Sequence, residues 1–129
     1  MPATILVVDD QADIRLSANF LLSAAGYHVL EAANPAHALA VLAGETVDLI
    51  LLDMNFERDT TSGSEGVEFI RRLADDGITV PVVAMTAWAN VELTVQTMRF
   101  GACDFVEKPW ENQRLLQIVR QQLHWAETQ

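Results

Sequence analysis

The sequence predicts an α/β domain built on a mostly parallel sheet. Short apolar runs alternate along the chain with segments of helical spacing, separated by brief polar or glycine-containing spacers. The first of these runs is continuous rather than alternating, as expected for a strand covered on both faces. The length of 129 residues, half of them hydrophobic, supports one domain with a real core.

Thr4 to Val8 is the first strand candidate. Ile14, Ala18, Leu21, Leu22 and Ala25 then recur at helical spacing, and Gly26 supplies a stop. Tyr27 to Leu30 reads as a second strand. Asn34-Pro35 marks a helix start, with Asn as cap and Pro in the first turn; Ala38, Leu39 and Leu42 follow, and Gly44 closes. Val47 to Leu52 is the third strand. Val67, Ile70, Arg71, Leu73 and Ala74 lie on a third helix that ends near Gly77, and Val80 to Met85 is the fourth strand. Asn90 to Phe100 carries the weakest helical pattern (Val91, Val95, Met98), so this helix is expected to be the least tightly packed. Cys103 to Glu107 is a short fifth strand. Glu111 to Trp125 is the last helix, with Leu115, Ile118, Val119 and Leu123 inward. Five βα units with right-handed crossovers place helices on both faces of the sheet. The polar stretch 56–65 is long for a βα loop.

Composition narrows the function. The formal net charge is −10, which argues against direct nucleic-acid binding, since phosphates require a basic face. No apolar run is long enough to span a membrane, and no basic region precedes the first apolar run as in a signal peptide. A single cysteine, Cys103, has no internal disulfide partner. These features fit a cytoplasmic protein.

The chemistry gathers at strand ends. Asp9-Asp10 ends the first apolar run, Asp53 the third and Thr86 the fourth. Lys108, the one lysine beside seven arginines, follows the fifth and precedes Pro109. In a parallel sheet those ends share one edge, where open α/β folds bind ligands. Clustered carboxylates repel unless one is protonated or a cation lies among them. Oxygen donors without His or Cys suit Mg²⁺. A carboxylate beside Mg²⁺ and an ammonium is equipped to attack a phosphoryl group and form an acyl phosphate. Each residue also has a plain structural alternative. Asp53 would cap a turn, Asp9 or Asp10 would cap the first helix, Thr86 would pack, and Lys108 would be an ordinary surface lysine.

The motifs Ile-Leu-Val-Val-Asp-Asp (5–10), Asp-Leu-Ile-Leu-Leu-Asp-Met-Asn (48–55), Met-Thr-Ala (85–87) and Gly-Ala-Cys-Asp-Phe-Val-Glu-Lys-Pro (101–109) resemble the receiver domain of two-component response regulators along the whole chain. The resemblance implies a flavodoxin-like (βα)5 sandwich with strand order 2-1-3-4-5, and a phosphoryl group taken from a sensor histidine kinase. By position it implies Asp53 as phosphoacceptor and Asp9, Asp10, Asp53 and the Asn55 carbonyl as the Mg²⁺ site. It implies Thr86 as switch hydroxyl, Lys108 as phosphate-binding amine, Phe105 as switch aromatic, and a cis bond before Pro109. It implies a signalling switch rather than a metabolic enzyme. The face of the fourth helix, fifth strand and fifth helix would serve as its phosphorylation-dependent dimer or partner surface.

A finer resemblance is to the N-terminal receivers of sigma-54-dependent, nitrogen-regulation-type transcriptional activators, through Asp-Met-Asn-Phe, Asp-Thr-Thr-Ser-Gly (59–63) and Glu-Gly (65–66). It implies that residues 1–129 are the receiver of a longer regulator with ATPase and DNA-binding domains. The alternative is a stand-alone receiver that shuttles a phosphoryl group or docks on a partner. The chain departs from most receivers in lacking a Met-Pro step after the phosphoacceptor, and its loop there is longer. That loop is expected to cover Asp53 in part and alter phosphoryl lifetime. An Asp-nucleophile phosphatase would carry Asp-x-Asp after the first strand, where this chain reads Asp9-Asp10-Gln11-Ala12.

Among the remaining residues, Asp13 reads as a first-turn acid favoured by the helix dipole. Trp88 is either a shield over the site or a loop aromatic. Trp110 and Trp125 read as packing residues, Cys103 as a small core residue, and His28, His37 and His124 as ordinary histidines without metal spacing.

Overall fold

Five parallel strands pair in the order β2-β1-β3-β4-β5 in the computed structural model, which describes residues 2–54, 64–87, 91–99 and 101–127. In chain order the elements are β1 (Thr4–Val8), α1 (Ala12–Ala24), β2 (His28–Ala32), α2 (Pro35–Gly44) and β3 (Leu49–Asp53), followed by α3 (Ser64–Asp75), β4 (Val82–Thr86), α4 (Val91–Arg99), β5 (Asp104–Glu107) and α5 (Asn112–Glu127). The alternating pattern and the strand order are those expected from the sequence.

The sheet separates two apolar layers because side chains alternate along each strand. On one face Leu6, Val8, Ile50, Leu52, Val82 and Ala84 pack with Ala38 of α2 and with Phe69, Ile70 and Leu73 of α3. On the other, Ile5, Val7, Leu49, Leu51, Val83 and Met85 pack with Ala18 and Leu22 of α1 and with Leu115, Ile118 and Val119 of α5. Strands β3 and β4 are buried throughout, which explains their unbroken apolar sequences.

Local chemistry sets the helix ends. The Asn34 side chain accepts a hydrogen bond from the His37 N–H, with Pro35 in the first turn of α2. The chain leaves α1 through Gly26 at φ 99°, a left-handed conformation that favours glycine. Gly66 in α3 is required for a different reason. A β-carbon there would lie 2.6 Å from the Met54 sulfur and 3.3 Å from the Met54 Cα, so any larger residue would force the fully buried Met54 that follows Asp53, or α3 itself, to shift.

Two expectations are corrected, for β2 and for Trp125. Strand β2 starts at His28 rather than Tyr27 and runs on through Glu31 to Ala32; Glu31 is tolerated there because it pairs with Arg15. In α4, Val95 and Met98 face solvent while Thr97 is buried, in keeping with the loose packing expected of this helix. Trp125 is 63% exposed, not a core residue; Trp110 does pack, against the α1/α5 layer.

Candidate functional site

The sheet register brings the charged strand ends together. Val8 pairs with Leu52, so Asp9 and Asp53 extend the same row one residue further. Asp53 pairs with Met85, and Thr86 with Glu107. The Asp9 N–H donates to the Ala32 carbonyl at 3.1 Å, and the Lys108 N–H to the Thr86 carbonyl at 2.8 Å. Continuing the strand alternation, Asp9, Asp53 and Lys108 share the parity of Val7, Leu51 and Val106, the residues covered by α1 and α5. Thr86 has the opposite parity.

Lys108 connects the two aspartates. Its Nζ donates to Asp53 Oδ1 at 2.9 Å and to Asp9 Oδ2 at 3.1 Å. Both aspartates are buried, and the lysine side chain is only 10% exposed. Asp9 Oδ1 accepts the Gln11 N–H at 2.9 Å, which tethers it to the first residue before α1. The peptide bond after Lys108 is cis. Thr86 is fully buried at the end of β4, and Phe105 is partly buried against the α2/α3 layer.

The electrostatics follow from this burial. Asp9 is raised from 3.8 to about 6, chiefly because burial strips water from its charged form, and next because of the Asp53 charge. The Gln11 N–H and Lys108 oppose that rise without cancelling it. For Lys108, burial is the largest influence and pulls its pKa down. The two carboxylates together outweigh it, so the ammonium is held above its usual value.

One carboxylate oxygen from each of Asp9, Asp10 and Asp53 lies within 4.8 Å of the others. Three acidic oxygens around one point, two of them from buried residues, fit a hard divalent cation. The donor set therefore suits the Mg²⁺ expected from the sequence.

Asn55, Trp88 and the loop through residue 63 lie outside the described residues, as does any cover the loop gives Asp53. Asp13 is an exposed acid in the first turn of α1. Cys103 packs on the α1/α5 layer, and burial first, then the Asp104 charge, pushes its thiol up to about 11. His37 is exposed and accepts the Ala33 N–H through Nδ1. His28 and His124 are exposed.

Sequence reasoning missed Arg15. Its Nη1 donates to the Asp9 backbone carbonyl at 2.7 Å and its Nε to Glu31 Oε1 at 3.2 Å. The available signal was Glu31, a charge inside a strand, which needs a partner.

This fold and this edge define a class of signalling domain. Residues 5–120 match the response regulator receiver domain, and the chain belongs to that family. It is 39% identical over 115 residues to the phosphate regulon transcriptional regulatory protein PhoB of Pseudomonas aeruginosa, covering 88% of this chain and 48% of that protein. It is 31% identical over 123 residues to sporulation initiation phosphotransferase F of Bacillus subtilis, covering 95% of each. The crystal structure of NtrX from Brucella abortus superposes with a TM-score of 0.88 at 30% identity, over 99% of this chain and 28% of that one. The chain thus spans about half the length of the first two curated relatives and nearly all of the sporulation phosphotransferase.

Proposed function

We propose that this domain accepts a phosphoryl group on Asp53 from a sensor histidine kinase and changes conformation in response. The observation that carries the reading is the three-way contact of Asp53, Lys108 and Asp9 at the edge of the sheet. An Asp53 oxygen attacks phosphorus, the phosphorus–nitrogen bond of the donor's phosphohistidine breaks, and its electron pair returns to the imidazole. The product is an acyl phosphate. Asp9, Asp10 and Asp53, with the Asn55 carbonyl, would hold Mg²⁺. When bound, that ion offsets charge on the phosphoryl oxygens. Lys108, already in contact with Asp53, supplies a second positive charge to the same oxygens.

The adduct adds about −1.5 to −2 of charge beside Lys108 and Thr86. Drawing both toward it shifts Phe105 and the surface of α4, β5 and α5, and with it a dimer or partner contact. Asp53, Thr86 and Lys108 carry the chemistry; it is a signalling event rather than catalytic turnover on an external substrate.

The likeness to PhoB and NtrX, both longer than this chain, supports a receiver that governs a downstream output. Sigma-54-dependent transcription through ATPase and DNA-binding domains is the output we favour. The 31% identity to the sporulation initiation phosphotransferase favours a second reading, a receiver that passes its phosphoryl group on. No helix among the described residues is long and apolar enough to cross a membrane, and we place the domain in the cytoplasm, with no nucleic-acid contact of its own.

Intact-mass spectrometry after incubation with Mg²⁺ and a small phosphodonor tests the core of this reading. Wild type should gain one phosphoryl group only when Mg²⁺ is present, and Asp53→Asn should gain none. Labelling that survives in the variant would reject Asp53 as acceptor.

A further inference from the structure

Arg15 joins the acidic site to a chain of polar contacts beneath it. Its guanidinium donates to the Asp9 carbonyl at 2.7 Å and to Glu31 at 3.2 Å. The second Glu31 oxygen accepts from Asn19 Nδ2 at 2.9 Å, and Asn19 Oδ1 accepts from Ser23 Oγ at 2.7 Å. Three residues of α1 and one of β2 are thereby tied to the backbone of Asp9. The Arg15 side chain is 18% exposed, so its contacts to Asp9 and Glu31 are partly shielded from water, whereas the Ser23–Asn19 bond is exposed. The guanidinium fork suits this task because it holds two acceptors in a fixed relative geometry. On its other side the Asp9 N–H is fixed to Ala32.

We propose that Arg15, oriented by Glu31, is a positioning residue that fixes the Asp9 backbone and so aims the Asp9 carboxylate into the cation site. The inference rests on the Mg²⁺ reading above and names a residue that acts on that site without touching the ion. Positioning and charge make opposite forecasts. A positive side chain near clustered acids repels a cation, so its removal on charge alone would tighten Mg²⁺ binding. Losing the Asp9 tether loosens a ligand and weakens binding, and removing such a supporting contact typically costs tenfold or more in metal affinity.

The test uses the 129-residue chain with Arg15→Met, which keeps an apolar stem, and Arg15→Lys, which keeps one charged donor. Calorimetric Mg²⁺ titration should show the dissociation constant rising roughly tenfold in Arg15→Met, with Arg15→Lys in between. Amide hydrogen exchange without metal should show faster exchange at Gln11, whose N–H is held by the Asp9 carboxylate, and unchanged protection in β3 and β4. Mg²⁺ binding in Arg15→Met as tight as wild type, or tighter, overturns the proposal. Should wild type itself bind no Mg²⁺, the cation reading fails, and unchanged Gln11 exchange in Arg15→Met then overturns the positioning role on its own.

Discussion

Lys108 has one short reach and two buried acids to satisfy. Removing it would leave Asp9 and Asp53 facing each other without a contacting ammonium, and breaking a buried ion pair from one side typically costs about 3–5 kcal/mol. We expect Lys108→Met to lose stability of that order in urea denaturation without metal, and to recover part of it when Mg²⁺ is added. A loss below about 1 kcal/mol would mean that the acids are already neutralised by protons rather than by the amine. The charged partners of this site were legible in the sequence because each ends its own strand. The tether through Arg15 was not, since it depends on a guanidinium of α1 reaching a neighbouring strand and a backbone carbonyl six residues earlier.

At the scale of the element, α1 presents a contrast between its faces. Ala18 and Leu22 are buried in the core, while Leu16 and Phe20, one helical turn apart, are 68% and 79% exposed. Helix α1 begins just after Asp10, so this apolar pair lies on the element that leads away from the acidic site. Two neighbouring exposed apolar side chains are a candidate contact surface, and on the proposed function a histidine kinase would approach Asp53 beside this helix. Phe20→Ala combined with Leu16→Ala should therefore slow phosphotransfer from the cognate kinase by about tenfold or more, with labelling by a small phosphodonor unchanged. Equal slowing with both donors would place the fault in the site rather than in docking. Strand identity was readable from unbroken apolar runs, whereas strand ends were not. Glu31 hides the continuation of β2, because a charge reads as a loop until its partner is known. In α4 the apolar residues Val95 and Met98 face outward and Thr97 faces inward, which accords with the weak apolar pattern of this helix.

For the whole molecule, the raised Asp9 carboxyl couples the site to folding. A carboxyl whose folded value of about 6 lies above its unfolded 3.8 binds its proton more tightly when folded. Its stabilising contribution is complete below about 3.8 and lost as pH rises through about 6. From pH 5 to 7.5 this one group should lower the stability of the metal-free protein by on the order of 1 kcal/mol. Denaturation of wild type and Asp9→Asn at both pH values checks this; an equally steep fall in the variant would show that other groups carry the pH dependence. Mg²⁺ reverses the trend, because a cation favours the ionised acid. Its affinity should fall about tenfold between pH 7 and pH 5 as Asp9 takes up its proton.

The sheet order was visible before the structure only through the family resemblance, since composition and periodicity specify parallel strands without ranking them. That order gives Lys108 a mechanical setting. Strand β5 lies at the margin of the sheet and pairs with β4 alone, while β1 and β3, which lead into Asp9 and Asp53, are paired on both sides. The acids follow strands held by neighbours on both sides, and the amine follows a strand held on one side only. On the proposed function, a new charge on Asp53 would pull through Lys108 on a strand held from one side only, so the centre of the sheet would have less need to deform.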